Sequence, residues 1–259
     1  MILALNIGNS HITFGGYTAD GKLFFSSRLF ADSALSSDEL LYKIVNMLAL
    51  YGVEPHQITG VIFSSVVPTL TGRLREALRK MSEAPVMEVG PGLKSGVRIR
   101  MDTPAQLGGE LLCAVVGALQ RTAPPMVVIN FDTATTLLAV DAAGTLVGGA
   151  ILPGPQCSLA ALVANTAQLP QVELDTTPRR VIGTNTPDCL QSGIVYGTAA
   201  MLDGMVQRFC AKLNAPGAAV IATGTLPASI RSACTVDIDY RATLVLDGLF
   251  TIWTKNTRR

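Results

Sequence analysis

The sequence predicts a duplicated α/β fold with mixed sheets and outer helices, and three observations support this prediction. Apolar runs typical of buried strands alternate with helical patterns along the whole chain. An apolar run from Ile2 to Ile7 leads into a polar turn and a returning strand, and the same order recurs from Met126 to Val140. No low-complexity segment separates these patterns. We therefore expect two halves, residues 1–122 and 123–259, divided near Pro124-Pro125 and separated by a cleft.

Within each half, apolar runs, helix caps and breakers set the predicted elements. One helix of the first half has Ser37 as its expected N-cap, an acidic first turn and Gly52 as its stop. The first half is predicted to contain strands at residues 2–7, 11–14, 21–28, 58–67 and 85–89 and helices at 37–51, 71–81 and 104–121. The second half is predicted to contain three strands within 126–149, a strand at 218–222 and helices at 157–168, 187–213, 230–234 and 247–255.

Composition argues against nucleic acid and membrane partners. Apolar residues make up 49% of the 259 residues and the formal net charge is +1, so no basic excess points to nucleic acid. No apolar run approaches the roughly 18 residues that a membrane span needs, and the N-terminus lacks the features of a signal peptide. The five cysteines form no C-x-x-C pair, which favours reduced thiols in a cytoplasmic protein.

Each of the two apolar runs is followed by a polar turn suited to binding phosphate. In the first turn, Gly8 lets a ligand approach the backbone, while Asn9 and Ser10 offer side-chain hydrogen bonds. Both runs place an asparagine, Asn6 or Asn130, near the carboxyl end of the strand. An ordinary buried hairpin explains either turn alone, but their repetition favours a nucleotide bound between the two halves.

The segments Asn6-Ile-Gly-Asn-Ser-His-Ile-Thr13 and Asn130-Phe-Asp-Thr-Ala-Thr-Thr136 resemble the phosphate motifs of the type III pantothenate kinases. This family, part of which was described as the Bvg accessory factor family, belongs to the actin/Hsp70/sugar-kinase superfamily. The likeness holds in order and spacing over almost the whole chain. Further matching segments are Phe63-Ser-Ser-Val-Val-Pro68, Gly148-Gly-Ala-Ile-Leu-Pro-Gly154, Thr166-Ala-Gln-Leu-Pro170, Ile182-Gly-Thr-Asn-Thr186 and Ala222-Thr-Gly224.

The resemblance implies a duplicated ribonuclease H-like, actin-like ATPase fold with two mixed sheets flanked by helices. It implies ATP-dependent phosphorylation of pantothenate, the first step of coenzyme A biosynthesis. The implied cofactors are ATP, Mg²⁺ and a monovalent cation, K⁺ or NH₄⁺. Active members of the family are dimers that build each site at the subunit interface, so we expect a homodimer or a heterodimer with an intact paralogue.

The resemblance also assigns candidate site residues by their match to the family motifs. Cofactor-binding candidates are Asn6, Gly8, Asn9, Ser10, Thr13, Thr133 and Gly224. Substrate-binding candidates are Met101, Gly108, Gly109, Leu111 and Thr186, with Glu110 as the candidate base. The two cation positions fall on Asn130 and Asp132.

Several of these positions depart from the family pattern, and the departures concern charge. Asn6 and Asn130 replace the aspartates of the two phosphate motifs, and Asp132 replaces a glycine. The family's Gly-Ala-Asp-Arg segment is Gly108-Gly-Glu-Leu111, in which Leu111 cannot form a guanidinium–carboxylate pair. The remaining differences are Met101 in place of a tyrosine and Thr225 in place of a glycine.

These departures lead to three alternative functions. Loss of one preorganised electrostatic group commonly costs about 2.7–4 kcal/mol of transition-state stabilisation, so the first hypothesis is a weakly active or inactive kinase homologue. Such a chain would act as a partner subunit of an intact kinase. The second hypothesis is an active kinase with Glu110 as base and Asp132 as cation ligand. The third is a non-catalytic ligand-binding or regulatory protein.

Overall fold

A computed structural model describes residues 1–257 of the chain. In chain order the strands are β1 (Ile2–Ile7), β2 (His11–Tyr17), β3 (Leu23–Phe30), β4 (Gly60–Ser65), β5 (Val86–Glu88), β6 (Arg98–Ile99), β7 (Met126–Phe131), β8 (Ala134–Val140), β9 (Thr145–Pro153), β10 (Ala219–Gly224) and β11 (Asp239–Tyr240). The helices are α1 (Ser37–Leu50), α2 (Pro68–Met81), α3 (Gly109–Leu119), α4 (Pro155–Ala164), α5 (Thr186–Lys212), α6 (Ala228–Ala233) and α7 (Leu244–Thr257).

The described chain divides into two compact units. The first unit comprises residues 1–97, 102–121 and 243–257, and the second comprises residues 98–101 and 122–242. The halves 1–122 and 123–259 follow the repeated sequence pattern, whereas packing groups α7 with the first unit. The reason lies in small residues, because Gly117 of α3 and Gly248 of α7 let the backbones of these helices approach each other closely.

The first unit contains a five-stranded mixed sheet in the order β3-β2-β1-β4-β5. Strand β1 is antiparallel to β2 and parallel to β4, so the hairpin partner and the crossover strand flank the first apolar run. Helices α1 and α2 cover one face of the sheet. The core of that face includes Leu3, Leu5, Ile7, Phe14, Leu40, Ile44, Phe63, Leu70 and Leu74.

The second unit repeats this arrangement in a six-stranded sheet with the order β11-β10-β7-β8-β9-β6. Strand β7 is antiparallel to β8 and parallel to β10. Helices α4, α5 and α6 pack on one face. The core of that face includes Val127, Ile129, Phe131, Leu137, Leu159, Ile194, Val195, Leu202, Val220 and Ile230. Two mixed sheets flanked by helices confirm the predicted fold class.

Some predicted element boundaries were wrong, each for a local reason. The N-cap of α1 is Ser36, which accepts from the Glu39 N–H while its own N–H donates to the Glu39 carboxylate in a capping box. The predicted helix over 104–121 is broken, because residues Pro104–Gln106 form a 3-10 turn and α3 begins only at Gly109. Helix α2 begins at Pro68, which suits the first position of a helix because its missing N–H has no partner there.

Other boundaries differ by a few residues, and two very short strands were not predicted. Helix α4 ends at Ala164, before the predicted residue 168, and β9 continues past residue 149 to Pro153. Strands β6 and β11 are only two residues long and depend on pairing with β9 and β10. Within residues 1–257, no helix combines the length and apolar character needed to cross a bilayer.

Candidate functional site

Each unit places an asparagine at the centre of a row of polar residues that crosses three strands. In the first unit, Asn6 of β1 pairs in register with Thr13 of β2 and Ser64 of β4. We call Thr13, Asn6 and Ser64 the first polar row. In the second unit, Asn130 of β7 pairs with Thr136 of β8 and Thr223 of β10, and these three residues form the second polar row.

In the first polar row, a buried hydrogen bond holds the central amide. The Ser64 hydroxyl donates to Oδ1 of Asn6 at 2.6 Å. Asn6 is 7% exposed and Ser64 is fully buried, so this bond is made largely out of contact with water. The bond fixes the carbonyl oxygen of the amide toward β4. Ser64 is not among the site residues predicted from the sequence, although it lies in a predicted strand and in a segment that matches the family.

The start of α3 lies against the same serine. A Cβ built on Gly109 would be 3.3 Å from Cβ of Ser64, so the absence of a side chain at this position lets the helix approach β4. Gly108 is the N-cap residue, and Glu110 lies half-buried in the first turn. The structure therefore brings Glu110, the candidate base, to the helix start that packs beside the first polar row.

The electrostatic surroundings of Glu110 extend into α3. Cys113, one turn further on, is completely buried, and burial together with the Glu110 carboxylate raises the pKa of its thiol. Leu111, the position of the family arginine, is half-buried and adds no charge. Glu110 therefore supplies negative charge at the start of α3, without the guanidinium that the family motif would place beside it.

The turn between β1 and β2 is tight and is tied to its neighbour strand. The Gly8 N–H donates to the His11 carbonyl at 2.9 Å, which leaves Asn9 and Ser10 at the tip. Asn9 is exposed, and the Ser10 carbonyl accepts from the Ala31 N–H just beyond β3 at 3.0 Å. Of the four cofactor-binding candidates in this motif, Gly8, Asn9 and Ser10 lie together in the turn. Thr13 lies within β2.

The turn between β7 and β8 packs against the start of α4. The Gly154 N–H donates to the Thr133 carbonyl at 3.0 Å, and a Cβ on Gly154 would lie 2.4 Å from the Asp132 carbonyl oxygen. Only glycine fits this approach. Asp132 is half-buried and Thr133 exposed, so the predicted cation and cofactor positions of this unit share one turn. Gly154 is not among the site residues predicted from the sequence, although it closes one of the matching segments.

The end of β10 closes on the same region of the second unit. Gly224 has φ +88°, and a Cβ there would lie 1.9 Å from the Phe131 carbonyl oxygen at the end of β7. The Thr225 N–H donates to that oxygen at 2.7 Å. The Tyr240 hydroxyl donates to the Gly224 carbonyl at 2.6 Å. Thr225, which stands where the family has a glycine, is exposed, and its backbone joins the end of β10 to β7.

The other predicted substrate positions lie elsewhere in the second unit. Met101 is half-buried and follows β6. Thr186 is the first residue of α5, whose N-cap Asn185 accepts from the Asp188 N–H at 2.9 Å. Thr186 lines a surface pocket of about 560 Å³ together with Gly183 and Asn185. Neither residue is adjacent in register to Asn130, so they form a separate part of the candidate site.

Solved structures place this architecture in a known fold class. The chain superposes on a Baf family protein from Campylobacter jejuni with a TM-score of 0.60, 19% identity and 98% coverage of both chains. It superposes on component A of the (R)-2-hydroxyglutaryl-CoA dehydratase of Acidaminococcus fermentans with a TM-score of 0.55 and 13% identity, over 97% of this chain and 95% of that one. The fold is that of the actin-like ATPases and sugar kinases.

Sequence comparison then specifies the family. The type III pantothenate kinase family model matches residues 2–208. A type III pantothenate kinase of Rubrobacter xylanophilus is 37% identical over 263 residues, which cover all of this chain and 99% of the relative. A second, from Streptomyces avermitilis, is 36% identical and covers both chains fully. The chain belongs to the type III pantothenate kinase family, which confirms the predicted resemblance.

Family membership implies ATP and a divalent metal, and the donors in the two polar rows can be tested against that requirement. Mg²⁺ is usually held through one or two carboxylates together with substrate phosphates. The centres of both rows are neutral amides, and Oδ1 of Asn6 already accepts a hydrogen bond from the Ser64 hydroxyl. Among residues 1–257, no cluster of three or more His, Cys, Asp or Glu side chains is arranged to hold a metal. The polar rows do not fit a divalent cation.

Proposed function

We propose that this protein is a type III pantothenate kinase homologue that retains the nucleotide-binding scaffold but transfers phosphate much more slowly than an intact kinase. The observation that carries the proposal is the neutral, buried Asn6–Ser64 pair at the centre of the first polar row. Phosphoryl transfer depends on positioning and on neutralising developing charge rather than on covalent chemistry. With neutral amides at the centres of both polar rows and a leucine at position 111, the site lacks most of that electrostatic support.

The size of the expected defect follows from the number of missing groups. Each preorganised electrostatic group commonly contributes about 2.7–4 kcal/mol to the transition state. Losses at Asn6, Asn130 and Leu111 are not additive, but two of them already correspond to a rate reduction on the order of 10⁴-fold. Glu110 keeps a carboxylate, but it lies at the start of α3 and not at position 6, 130 or 111.

The test is a steady-state assay of the full chain with ATP, Mg²⁺, K⁺ and pantothenate, in which ADP release is measured. K⁺ is included because the family resemblance implies a monovalent cation. The relative from Rubrobacter xylanophilus, assayed in parallel, is the positive control. We expect turnover at least roughly 10³-fold below the 1–100 s⁻¹ typical of kinases. Turnover within that range would overturn the proposal.

One observation favours a second candidate, an active kinase with altered ligands. Glu110 occupies the helix start beside the first polar row, where a base could act on an acceptor hydroxyl. Asp132 would then serve as the cation ligand. In this case Glu110→Gln would remove measurable phosphorylation, whereas the exposed control Glu83→Gln would not. Equal rates for both variants would exclude the second candidate.

We further propose that the chain assembles as a homodimer or with an intact paralogue. The family resemblance supports this, as do large apolar side chains that the second unit exposes. These side chains are Ile151, Leu162, Val181 and Ile182. Light scattering coupled to size-exclusion chromatography gives the mass of the protein alone, and co-purification with an intact kinase tests the mixed assembly. A monomer at micromolar concentration that also fails to retain the intact kinase would contradict both forms.

A further inference from the structure

We propose that the β1–β2 turn and Asn6 bind the phosphate chain of a nucleotide directly, without a bridging divalent cation, and that Ser64 sets this preference. The inference rests on the proposed function, since it concerns the same nucleotide site. Because the polar rows do not fit a divalent cation, we expect the ligand to bind without one. The ligand chemistry is a metal-free oligophosphate.

The orientation of the Asn6 amide is the first step. Oδ1 of Asn6 accepts a hydrogen bond from the Ser64 hydroxyl at 2.6 Å, so this oxygen faces β4. The Nδ2 group lies at the opposite edge of the planar amide and therefore faces away from Ser64. An amide nitrogen has two N–H donors and no acceptor. Asn6 thus turns hydrogen-bond donors, which suit phosphate oxygens, away from β4.

The burial of the pair is the second step. Ser64 is completely buried, and Gly109 at the start of α3 packs against its Cβ. The serine is therefore held in place by the sheet and the helix, and it cannot release the amide without leaving both groups unsatisfied. A cation at Oδ1 of Asn6 would have to share this neutral oxygen with the Ser64 hydroxyl, which already occupies one of its two lone pairs. The geometry disfavours cation binding at this atom and keeps the amide in one orientation.

Charge is the third step. A carboxylate beside a phosphate repels it, and a cation between the two offsets that repulsion. With an amide at position 6 the repulsion is absent, so a cation is no longer needed to bring the phosphate close. The Gly8 N–H already donates to the His11 carbonyl, but Asn9 at the tip of the turn is exposed, so a phosphate can approach the turn there. A neutral donor set therefore accepts the phosphate chain in its uncomplexed form.

The direct test is isothermal titration of the full chain with ATP in excess EDTA and, separately, in excess Mg²⁺. Binding in EDTA that is equal to or tighter than binding in Mg²⁺ supports the inference. Binding that requires Mg²⁺ overturns the inference and leaves the proposed function standing. No binding in either buffer overturns both. Inorganic triphosphate, titrated in EDTA, distinguishes recognition of the phosphate chain from recognition of the nucleoside.

Two variants connect the result to Asn6. Asn6→Asp restores a carboxylate that repels phosphate, so the affinity for ATP in EDTA should fall roughly tenfold or more. A tenfold fall corresponds to the loss of about one hydrogen bond. The matched control is Asn46→Asp on the exposed face of α1, which adds the same charge and should leave binding unchanged. Equal affinities of the Asn6→Asp variant and the parent in EDTA would contradict a direct contact.

The role of Ser64 is tested by Ser64→Ala, which frees Oδ1 and lets the amide rotate. We expect the affinity for ATP in EDTA to fall severalfold. The difference between the affinities measured in EDTA and in Mg²⁺ should become smaller. The control is Ser229→Ala, which removes a buried hydroxyl that donates to a backbone carbonyl in the second unit. It should leave the ATP affinities in EDTA and in Mg²⁺ unchanged. Circular dichroism and thermal melting check that each variant is folded. If Ser64→Ala does not fold, Asn6→Asp and the parent titrations still decide the inference.

Discussion

The two units have the same backbone arrangement around their polar rows but different side chains at the strand ends that follow these rows. The Val66 N–H donates to the Ile7 carbonyl at 3.0 Å, and the Thr225 N–H donates to the Phe131 carbonyl at 2.7 Å. In register terms these bonds are equivalent, because Ser65 pairs with Ile7 just as Gly224 pairs with Phe131. The duplication therefore extends through the strand ends to the start of the helix that follows each of them.

The side chains at the equivalent strand ends show what each unit requires. Ser65 accepts from the Val67 N–H at 3.2 Å and from the Thr71 hydroxyl at 2.8 Å, so it ties the end of β4 to the start of α2. Gly224 has φ +88° and leaves no room for a side chain. The first unit thus uses this position to hold a helix, whereas the second uses it for close approach of two strands. A shared backbone does not fix which side chains are allowed.

The largest expected effect in this comparison is that of Gly224→Ala. The new Cβ would lie 1.9 Å from the Phe131 carbonyl oxygen, and φ would remain in the region that disfavours alanine. We expect the free energy of unfolding to fall by about 3 kcal/mol or more. Urea denaturation measures the change.

The control for that prediction is Ser65→Ala at the equivalent position. It removes the hydrogen bonds that Ser65 accepts from Val67 and Thr71, causes no steric conflict, and should cost about 1 kcal/mol. Similar losses for the two variants would show that the strand ends do not differ as described.

The hairpins and their order could be predicted from the sequence because their apolar runs and polar turns are local signals. Strands β1 and β7 occupy the residues that the pattern indicates. The break before α3 was not predicted. The pattern of residues 104–121 is typical of one helix, whereas Pro104–Gln106 form a separate 3-10 turn. Strands β6 and β11 are too short for a periodic signal and exist only through their partners.

The candidate site was predictable in its residue types but not in its pairings. The neutral Asn6 and Asn130 were identified from the sequence, yet the bond from Ser64 to Asn6 joins residues 58 positions apart. Gly154 likewise contacts a turn more than twenty residues before it. Contacts of this kind follow from strand order and helix placement, which a single sequence does not specify.

A second prediction compares the centres of the two polar rows by restoring a carboxylate to each. Asn130→Asp would bury a charge at a position that is 4% exposed, between Thr136 and Thr223. We expect a loss of about 2–3 kcal/mol at pH 7. Asn6→Asp keeps the Ser64 hydroxyl as a donor and should cost less, about 1 kcal/mol.

The pH dependence of the Asn130→Asp variant gives an independent check. Burial favours the neutral acid, so the pKa of the new carboxyl in the folded state should exceed its unfolded value of about 3.9. For a group whose folded pKa is raised, the stability is fully present below the unfolded pKa and is lost as the pH rises through the folded pKa. The deficit relative to the parent should therefore shrink as the pH falls toward about 4. A deficit that does not change between pH 7 and pH 4 would contradict burial of the charge.

The smallest expected effect concerns the position next to each central strand end. Thr135 pairs with Phe131 in the second unit just as Ile12 pairs with Ile7 in the first. Thr135 is fully buried, and within residues 1–257 its hydroxyl has no hydrogen-bond partner. A buried hydroxyl without a partner carries a desolvation cost that a methyl group of the same shape avoids. Thr135→Val makes the second unit resemble the first at this point and should raise the free energy of unfolding by about 0.5–1 kcal/mol in urea titrations.

The reverse exchange, Ile12→Thr, should destabilise the first unit because it adds an unsatisfied hydroxyl and removes buried apolar surface. If Thr135→Val were instead destabilising, the threonine hydroxyl would have to contribute a favourable interaction, and the two units would differ in polar contacts as well as in side-chain size.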